Sequence, residues 1–236
     1  MAGYNVIFKR VEKKYRITEA TYLRLMERIG EQLEPDRYGK STVCNLYLDT
    51  PDFLLIRNSI EAVSYKEKLR VRSYGIPKED GTVFFEIKKK YKGTVYKRRI
   101  STTYSKVMTY LSGGERPDDS QIMRELDYTM GYYRWPQPRA LIFYEREAFF
   151  AKEIPGLRLT FDRNIRYRFD NLTPEHGDVG TPILEDGYVL MEIKTDGGMP
   201  LWLSHILAEL SIYPSRFSKY ATAYLHNIEL KRGDPS

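Results

Sequence analysis

Residues 65–75 read Y-K-E-K-L-R-V-R-S-Y-G, with Lys66, Lys68, Arg70 and Arg72 on alternate positions. Successive side chains of a β-strand point to opposite faces, so these four cations share one face. The spacing recurs along the chain. Glu86, Lys88 and Lys90 alternate in V-F-F-E-I-K-K-K, Lys97 and Arg99 in V-Y-K-R-R-I, and Arg10, Glu12, Lys14 and Arg16 in R-V-E-K-K-Y-R-I. If the faces converge, they build a positively charged interior suited to a ligand with many negative charges.

The opposite faces are apolar. Val83, Phe85 and Ile87 oppose Glu86, Lys88 and Lys90; Val189, Met191 and Ile193 oppose Glu192 and Lys194; Leu157, Leu159 and Phe161 oppose Arg158, Thr160, Asp162 and Arg166. Each strand alone fits a half-buried antiparallel sheet with a solvated face. Taken together, the strands also fit a barrel wrapped by helices, with the charges in its lumen. Such a lumen requires water, internal pairing or a bound anion, because unpaired interior cations are costly.

Outward from these segments, strands are expected at 6–17, 42–49, 63–74, 82–90, 94–101, 139–150, 157–168 and 187–195. Thr18 should cap a helix with Tyr22, Leu25, Met26, Ile29 and Leu33 at helical spacing, broken by Pro35, Asp36 and Gly39. Further helices are expected at 104–111, 120–133, 201–212 and 218–231, and 169–186 reads as a loop or short ribbon. Eight strands in runs, with about five helices between them, argue α+β rather than alternating βαβ units. The expectation is an eight-stranded antiparallel closed β-barrel with a charged lumen and helices outside, as a single domain over 1–236.

The chain has 236 residues, 42% of them hydrophobic and 30% charged, with a net charge of +6. That balance favours an anionic partner without naming it. Cys44 is the sole cysteine, which rules out an internal disulfide and a thiolate metal cluster and favours a reducing compartment. With no signal-peptide pattern and no apolar run near the roughly 18 residues of a membrane span, a cytoplasmic protein without direct membrane insertion is expected. A membrane-protein partner is left open. The 20 tyrosines interleave with basic residues, a pattern also used on single-stranded nucleic acid. Here they mostly punctuate strands or line helix faces, no Walker-type loop or RNP-like motif is present, and no nucleic-acid partner is expected.

The ordered set F-K-R-V-E-K-K-Y, L-Y-L-D-T, K-L-R-V-R-S-Y-G, F-F-E-I-K-K-K, G-T-V-Y-K-R-R, F-Y-E-R-E-A-F, L-R-L-T-F-D, L-M-E-I-K and R-F-S-K-Y resembles the triphosphate tunnel metalloenzyme superfamily, and within it the VTC branch of polyphosphate polymerases. The resemblance implies a tunnel for nucleoside triphosphate or polyphosphate and a divalent metal, Mn²⁺ or Mg²⁺, held by a carboxylate. The superfamily opens on an E-x-E-x-K element. Here Arg10 replaces the first Glu, as in the VTC branch, which argues against a thiamine triphosphatase or a class IV adenylyl cyclase. Neither an SPX-like domain nor membrane helices are read in the chain, so inositol-phosphate regulation and coupled export are not expected.

By this resemblance Lys14, Arg70, Arg72, Lys88, Lys97, Arg146, Arg158 and Lys219 contact phosphates, with Arg10 and Arg99 as further binding candidates. Lys219 lies on the C-terminal helix, where it would close over a tunnel mouth. Glu192 is the metal candidate, Glu12 and Glu86 are weaker ones, and Asp162 would orient Arg158 or Arg146. The implied activity is transfer of the γ-phosphoryl group of ATP to a growing polyphosphate chain. A tripolyphosphate hydrolase or a non-catalytic polyphosphate-binding module are the alternatives. A polyphosphate acceptor is already ionised near neutral pH and needs no general base, which suits a chain with only His176, His205 and His226.

Overall fold

The structure is a computed structural model that describes residues 10–92, 94–174, 177 and 179–233, with side chains described from 11 to 230. These residues form β1 (Arg10–Thr18), α1 (Glu19–Ile29), a 3₁₀ turn (Gly30–Gln32), β2 (Leu33–Asp49), α2 (Leu54–Ile60), β3 (Tyr65–Tyr74), β4 (Thr82–Tyr91), β5 (Thr94–Thr103), α3 (Tyr104–Leu111) and α4 (Gln121–Tyr132). They continue as β6 (Gln137–Ala151), β7 (Arg158–Arg168), β8 (Thr181–Pro182), β9 (Tyr188–Asp196), α5 (Leu201–Glu209) and α6 (Lys219–Gly233). The strand order is β1-β9-β7-β6-β2-β3-β4-β5, with β8 paired to β7. No helix among the described residues is long and apolar enough to cross a membrane.

The chain forms two compact units. Among the described residues, the first holds those up to Ser41, Glu145–Asn164 and Leu184–Phe217; the second holds those of Thr42–Tyr144, Ile165–Ile183 and those from Ser218. In the first unit, β1 pairs antiparallel with β9 and β9 with β7. Tyr15, Ile17, Leu159, Phe161, Val189, Met191 and Ile193 form one apolar face, which packs on Leu25 and Ile29 of α1 and on Leu203 and Leu207 of α5. Thr18 starts α1 by accepting a hydrogen bond from the Thr21 amide at 3.2 Å, which satisfies one of the four amides that a helix start leaves open. The other face carries Glu12, Lys14, Thr160, Asp162, Glu192 and Lys194.

In the second unit, part of β2 with β3, β4 and β5 makes an antiparallel meander. Leu46, Leu48, Leu69, Val71, Phe85, Ile87 and Ile100 pack against Tyr104, Val107, Tyr110 and Leu111 of α3 and Met123, Leu126 and Met130 of α4. Burial on this scale contributes roughly 1.5–3 kcal/mol for each large apolar side chain. Thr103 and Ser120 cap these two helices through their hydroxyls. Within each unit, helices therefore cover the apolar face of the sheet and leave the charged face on the other side, as the alternation predicts.

Four expectations need correction. The α+β class and the antiparallel sheet hold, but the strand order has two ends, β1 and β5, so among the described residues the sheet is not closed into a barrel. At β5, Thr94–Arg99 are exposed, and the Lys97, Arg98 and Arg99 cations make a poor edge for further pairing. The described residues hold nine strands and six α-helices rather than eight and five. β2 begins at Leu33, running through the residues read as helix breakers. Pro35 and Gly39 fall in its more exposed first half, and Gly39 takes a left-handed φ of +53° there, so both are tolerated within a strand. Finally, α2 was not anticipated. Its start depends on Asp49, whose Oδ1 accepts the Leu55 amide at 2.8 Å and whose Oδ2 accepts the Ile56 amide at 3.0 Å. Phe53 precedes the helix in the left-handed region at φ +60°, unusual for a bulky side chain.

Candidate functional site

Two clusters of charged side chains lie on the polar faces, one in each unit. In the second unit the register sets Tyr47 opposite Arg70, Arg70 opposite Glu86, Glu86 opposite Arg99, and Lys88 between Lys68 and Lys97. Glu86, only 1% exposed, is the centre. It accepts Arg70 Nε at 2.7 Å and lies 2.6 Å from Arg70 Nη2, 2.9 Å from Lys97 Nζ and 3.9 Å from Arg99 Nη1. Burial works against its charge, but Arg70, Arg72 and Lys97 outweigh it and hold the carboxyl down at about 2. Burial likewise opposes the Arg70 charge, yet Tyr47, Glu86 and Tyr144 carry its pKa above the ordinary arginine value. Lys97 is pushed down to about 8, first by desolvation and then by Arg70 and Arg72, with Glu86 pulling the other way.

Neighbouring polar groups orient these cations. Arg72 donates from Nε to Asn45 Oδ1 at 2.9 Å and from Nη2 to the Tyr144 hydroxyl at 3.4 Å. Lys219, the first residue of α6, holds its ammonium 4.4 Å from the Tyr144 ring centroid. The next residue, Tyr220, docks the helix: its ring stacks on Tyr47 at 4.5 Å and its hydroxyl donates to Asp49 Oδ2 at 3.0 Å. Lys68 Nζ donates to Ser218 Oγ at 3.0 Å, just before the helix. Thus the second unit brings Arg70, Arg72, Lys97, Arg99 and Lys219 into one linked network, with half-buried Lys88 in the adjoining row.

In the first unit, Lys14, Glu192 and Thr160 stand opposite one another across β1, β9 and β7. Arg146 grips Asp162 with two parallel bonds, Nε to Oδ1 at 2.6 Å and Nη2 to Oδ2 at 2.8 Å, and its Nη2 lies 3.7 Å from Glu192 Oε2. Lys194 Nζ is 3.5 Å from the same oxygen. Lys14 Nζ donates to the Phe217 carbonyl at 3.0 Å and lies 3.8 Å from Glu12. Arg158 pairs with Asp36 at 2.8 Å and lies 5.0 Å from the Phe150 ring centroid. Of the two arginines assigned to Asp162, Arg146 is therefore its partner, and Arg158 is held by Asp36, a residue read only as a helix breaker. Arg10 opens β1 opposite Asp196, its side chain outside the described residues; His176 also lies outside them. His226 packs on Tyr167.

The oxygen donors bear on a metal. Among the described residues no three His, Cys, Asp or Glu side chains gather as a ligand set. Glu192 is a largely buried carboxylate among cations, while Asp162 beside it is committed to Arg146. A hard divalent ion fits this arrangement if phosphate and water supply most of its ligands, since such ions need only one or two protein carboxylates.

The model of the VTC domain matches residues 9–227 of the sequence. The chain belongs to the VTC domain family. The resemblance carried by the ordered motifs is thereby borne out. No curated protein matches the sequence. Among solved structures, a candidate adenylate cyclase from Bacillus halodurans is similar at a TM-score of 0.56 and 14% identity, covering 89% of this chain and 93% of its own. Another from Vibrio parahaemolyticus has a TM-score of 0.50 and 14% identity, covering 91% and 97%. At such identity the likeness establishes a shared fold. In this VTC domain the residues that sequence reasoning missed are Asn45 and Asp36, together with Tyr47 and Tyr144, which the sequence presents only among the tyrosines that punctuate strands. Asn45 had a signal, a lone amide inside the apolar run V-C-N-L-Y-L; Asp36 had none.

Proposed function

We propose that this VTC domain is a metal-dependent polyphosphate polymerase that moves the γ-phosphoryl group of ATP onto the end of a polyphosphate chain. Family membership supports a protein that acts on polyphosphate or triphosphate. The observation that carries the finer reading is the state of the carboxylates. Glu86, held at about 2 beside Arg70 and Lys97, is a poor proton acceptor, and Asp162 is locked in a two-bond grip by Arg146. Clusters rich in cations but poor in available bases suit an acceptor that arrives ionised, as a phosphate terminus does, better than one that must be deprotonated.

In this reading a terminal phosphate oxygen forms a bond to the γ-phosphorus while the bond from that phosphorus to the β,γ-bridging oxygen breaks, and ADP leaves with the electron pair. Within the second unit, Arg70 and Arg72 supply planar forks to phosphate oxygens and Lys88, Lys97 and Lys219 act as mobile point charges; within the first, Lys14 is the mobile point charge. Each unit adds arginine charge to its own cluster, Arg99 in the second and Arg146 and Arg158 in the first, of the kind that offsets charge on phosphate oxygens. Glu192 would hold Mn²⁺ or Mg²⁺, which would supply charge neutralisation to the phosphates when bound.

Purified protein incubated with ATP and Mn²⁺ should yield long polyphosphate and ADP. Orthophosphate as the sole phosphate product would make the protein a hydrolase instead. Tight tripolyphosphate binding without turnover, indifferent to Glu192→Ala, would make it a binding module.

A further inference from the structure

Thr160 lies mid-strand in β7, 2% exposed, and its hydroxyl finds no hydrogen-bond partner among the described residues. A buried hydroxyl left unmatched is destabilising, and folded proteins almost always satisfy such groups. Where this one can be satisfied follows from the register. Thr160 stands opposite Glu192, which stands opposite Lys14, and residues facing one another across antiparallel strands share a face at roughly 5 Å between Cβ atoms. Arg158 and Asp162, two positions to either side on that face, are engaged by Asp36 and Arg146.

A carboxylate beside a neutral hydroxyl is an all-oxygen donor pair. Placed together they repel a bare phosphate at the carboxylate and attract a hard cation, and a threonine hydroxyl with a carboxylate is a donor set used for Mg²⁺ in phosphoryl transfer. We propose that the Thr160 hydroxyl is a second protein oxygen ligand, with Glu192, for the divalent cation on which polyphosphate binds. The proposal rests on the reading of the preceding subsection, because phosphate supplies the remaining ligands.

The experiment is Mn²⁺ titration of the full chain, followed by electron paramagnetic resonance at saturating tripolyphosphate, beside calorimetry of tripolyphosphate alone in EDTA. Thr160→Val should weaken Mn²⁺ about tenfold while leaving binding in EDTA within about twofold and the melting temperature unchanged or higher. Thr160→Ser should restore the wild-type Mn²⁺ affinity. Thr160→Cys should shift the metal preference from Mn²⁺ toward thiophilic Cd²⁺, a readout that a packing role would not move. Unchanged Mn²⁺ affinity in Thr160→Val, an equal loss in EDTA, or an unchanged Mn²⁺/Cd²⁺ ratio in Thr160→Cys overturns the proposal. A wild-type chain that binds no tripolyphosphate under either condition overturns the phosphate reading itself, and this inference with it.

Discussion

Replacing Glu86 by Gln removes the charge around which the second-unit cluster is organised. The side chain is 1% exposed and lies within 3 Å of both Arg70 and Lys97. Its carboxyl falls from 4.5 to about 2 in the folded protein. At 1.36 kcal/mol per pKa unit, that shift corresponds to about 3 kcal/mol of stability, in the range seen when one partner of a buried ion pair is removed. Between pH 2 and 4.5 the unfolded chain binds the proton and the folded chain does not, so stability rises with pH there. The contribution is complete above about pH 4.5 and disappears as pH falls through about 2. Urea unfolding followed by circular dichroism should place Glu86→Gln about 3 kcal/mol below wild type at pH 7, a midpoint shift of roughly 1 M or more. The gap should narrow steadily from pH 4.5 toward pH 3. A gap under about 1 kcal/mol at pH 7, or one that is the same at pH 3, would refute the claim that buried charge pairing organises this face.

Other perturbations separate binding from folding. Lys97 loses its proton as pH rises through about 8, so tripolyphosphate affinity should fall over that range in wild type and stay flat in Lys97→Arg; calorimetry giving parallel profiles would remove Lys97 from the binding face. Lys88 sits between Lys68 and Lys97 in a like-charged row. Lys88→Ala should lower turnover on the order of 10²-fold, and full activity would contradict its assigned role. Tyr220→Phe deletes the hydroxyl that donates to buried Asp49. It should cost about 1–3 kcal/mol in thermal unfolding and raise the KM for ATP by loosening Lys219 at the start of α6; an unchanged KM would show that the docked helix does not set that lysine.

Much of the fold was legible because its signals are local. Period-two alternation in 83–90 and 187–194 identified both faces of β4 and β9, and Thr18 marked a helix start through its own hydroxyl. What failed to show was non-local. α2 exists because a carboxylate at the end of β2 reaches amides six and seven residues on. The early start of β2 could not be read, since Pro35 and Gly39 speak against a strand by propensity alone. The Arg70–Glu86 pair is equally non-local: the register of β3 against β4 makes Arg70 the nearest counter-ion of Glu86.

By itself the sequence determined the family, through motifs in a fixed order, and determined that cations and apolar side chains occupy opposite faces. Side-chain direction along a strand depends only on position parity, so no tertiary knowledge was needed. Which acid holds which base was decided by tertiary structure alone. Glu86 serves Arg70, Asp162 serves Arg146 and Asp36 serves Arg158, at a sequence separation of 16 positions in the first two cases and 122 in the third. Electrostatic pairing falls off over a few ångströms, and those distances are set by strand register, which exists only once the chain has folded.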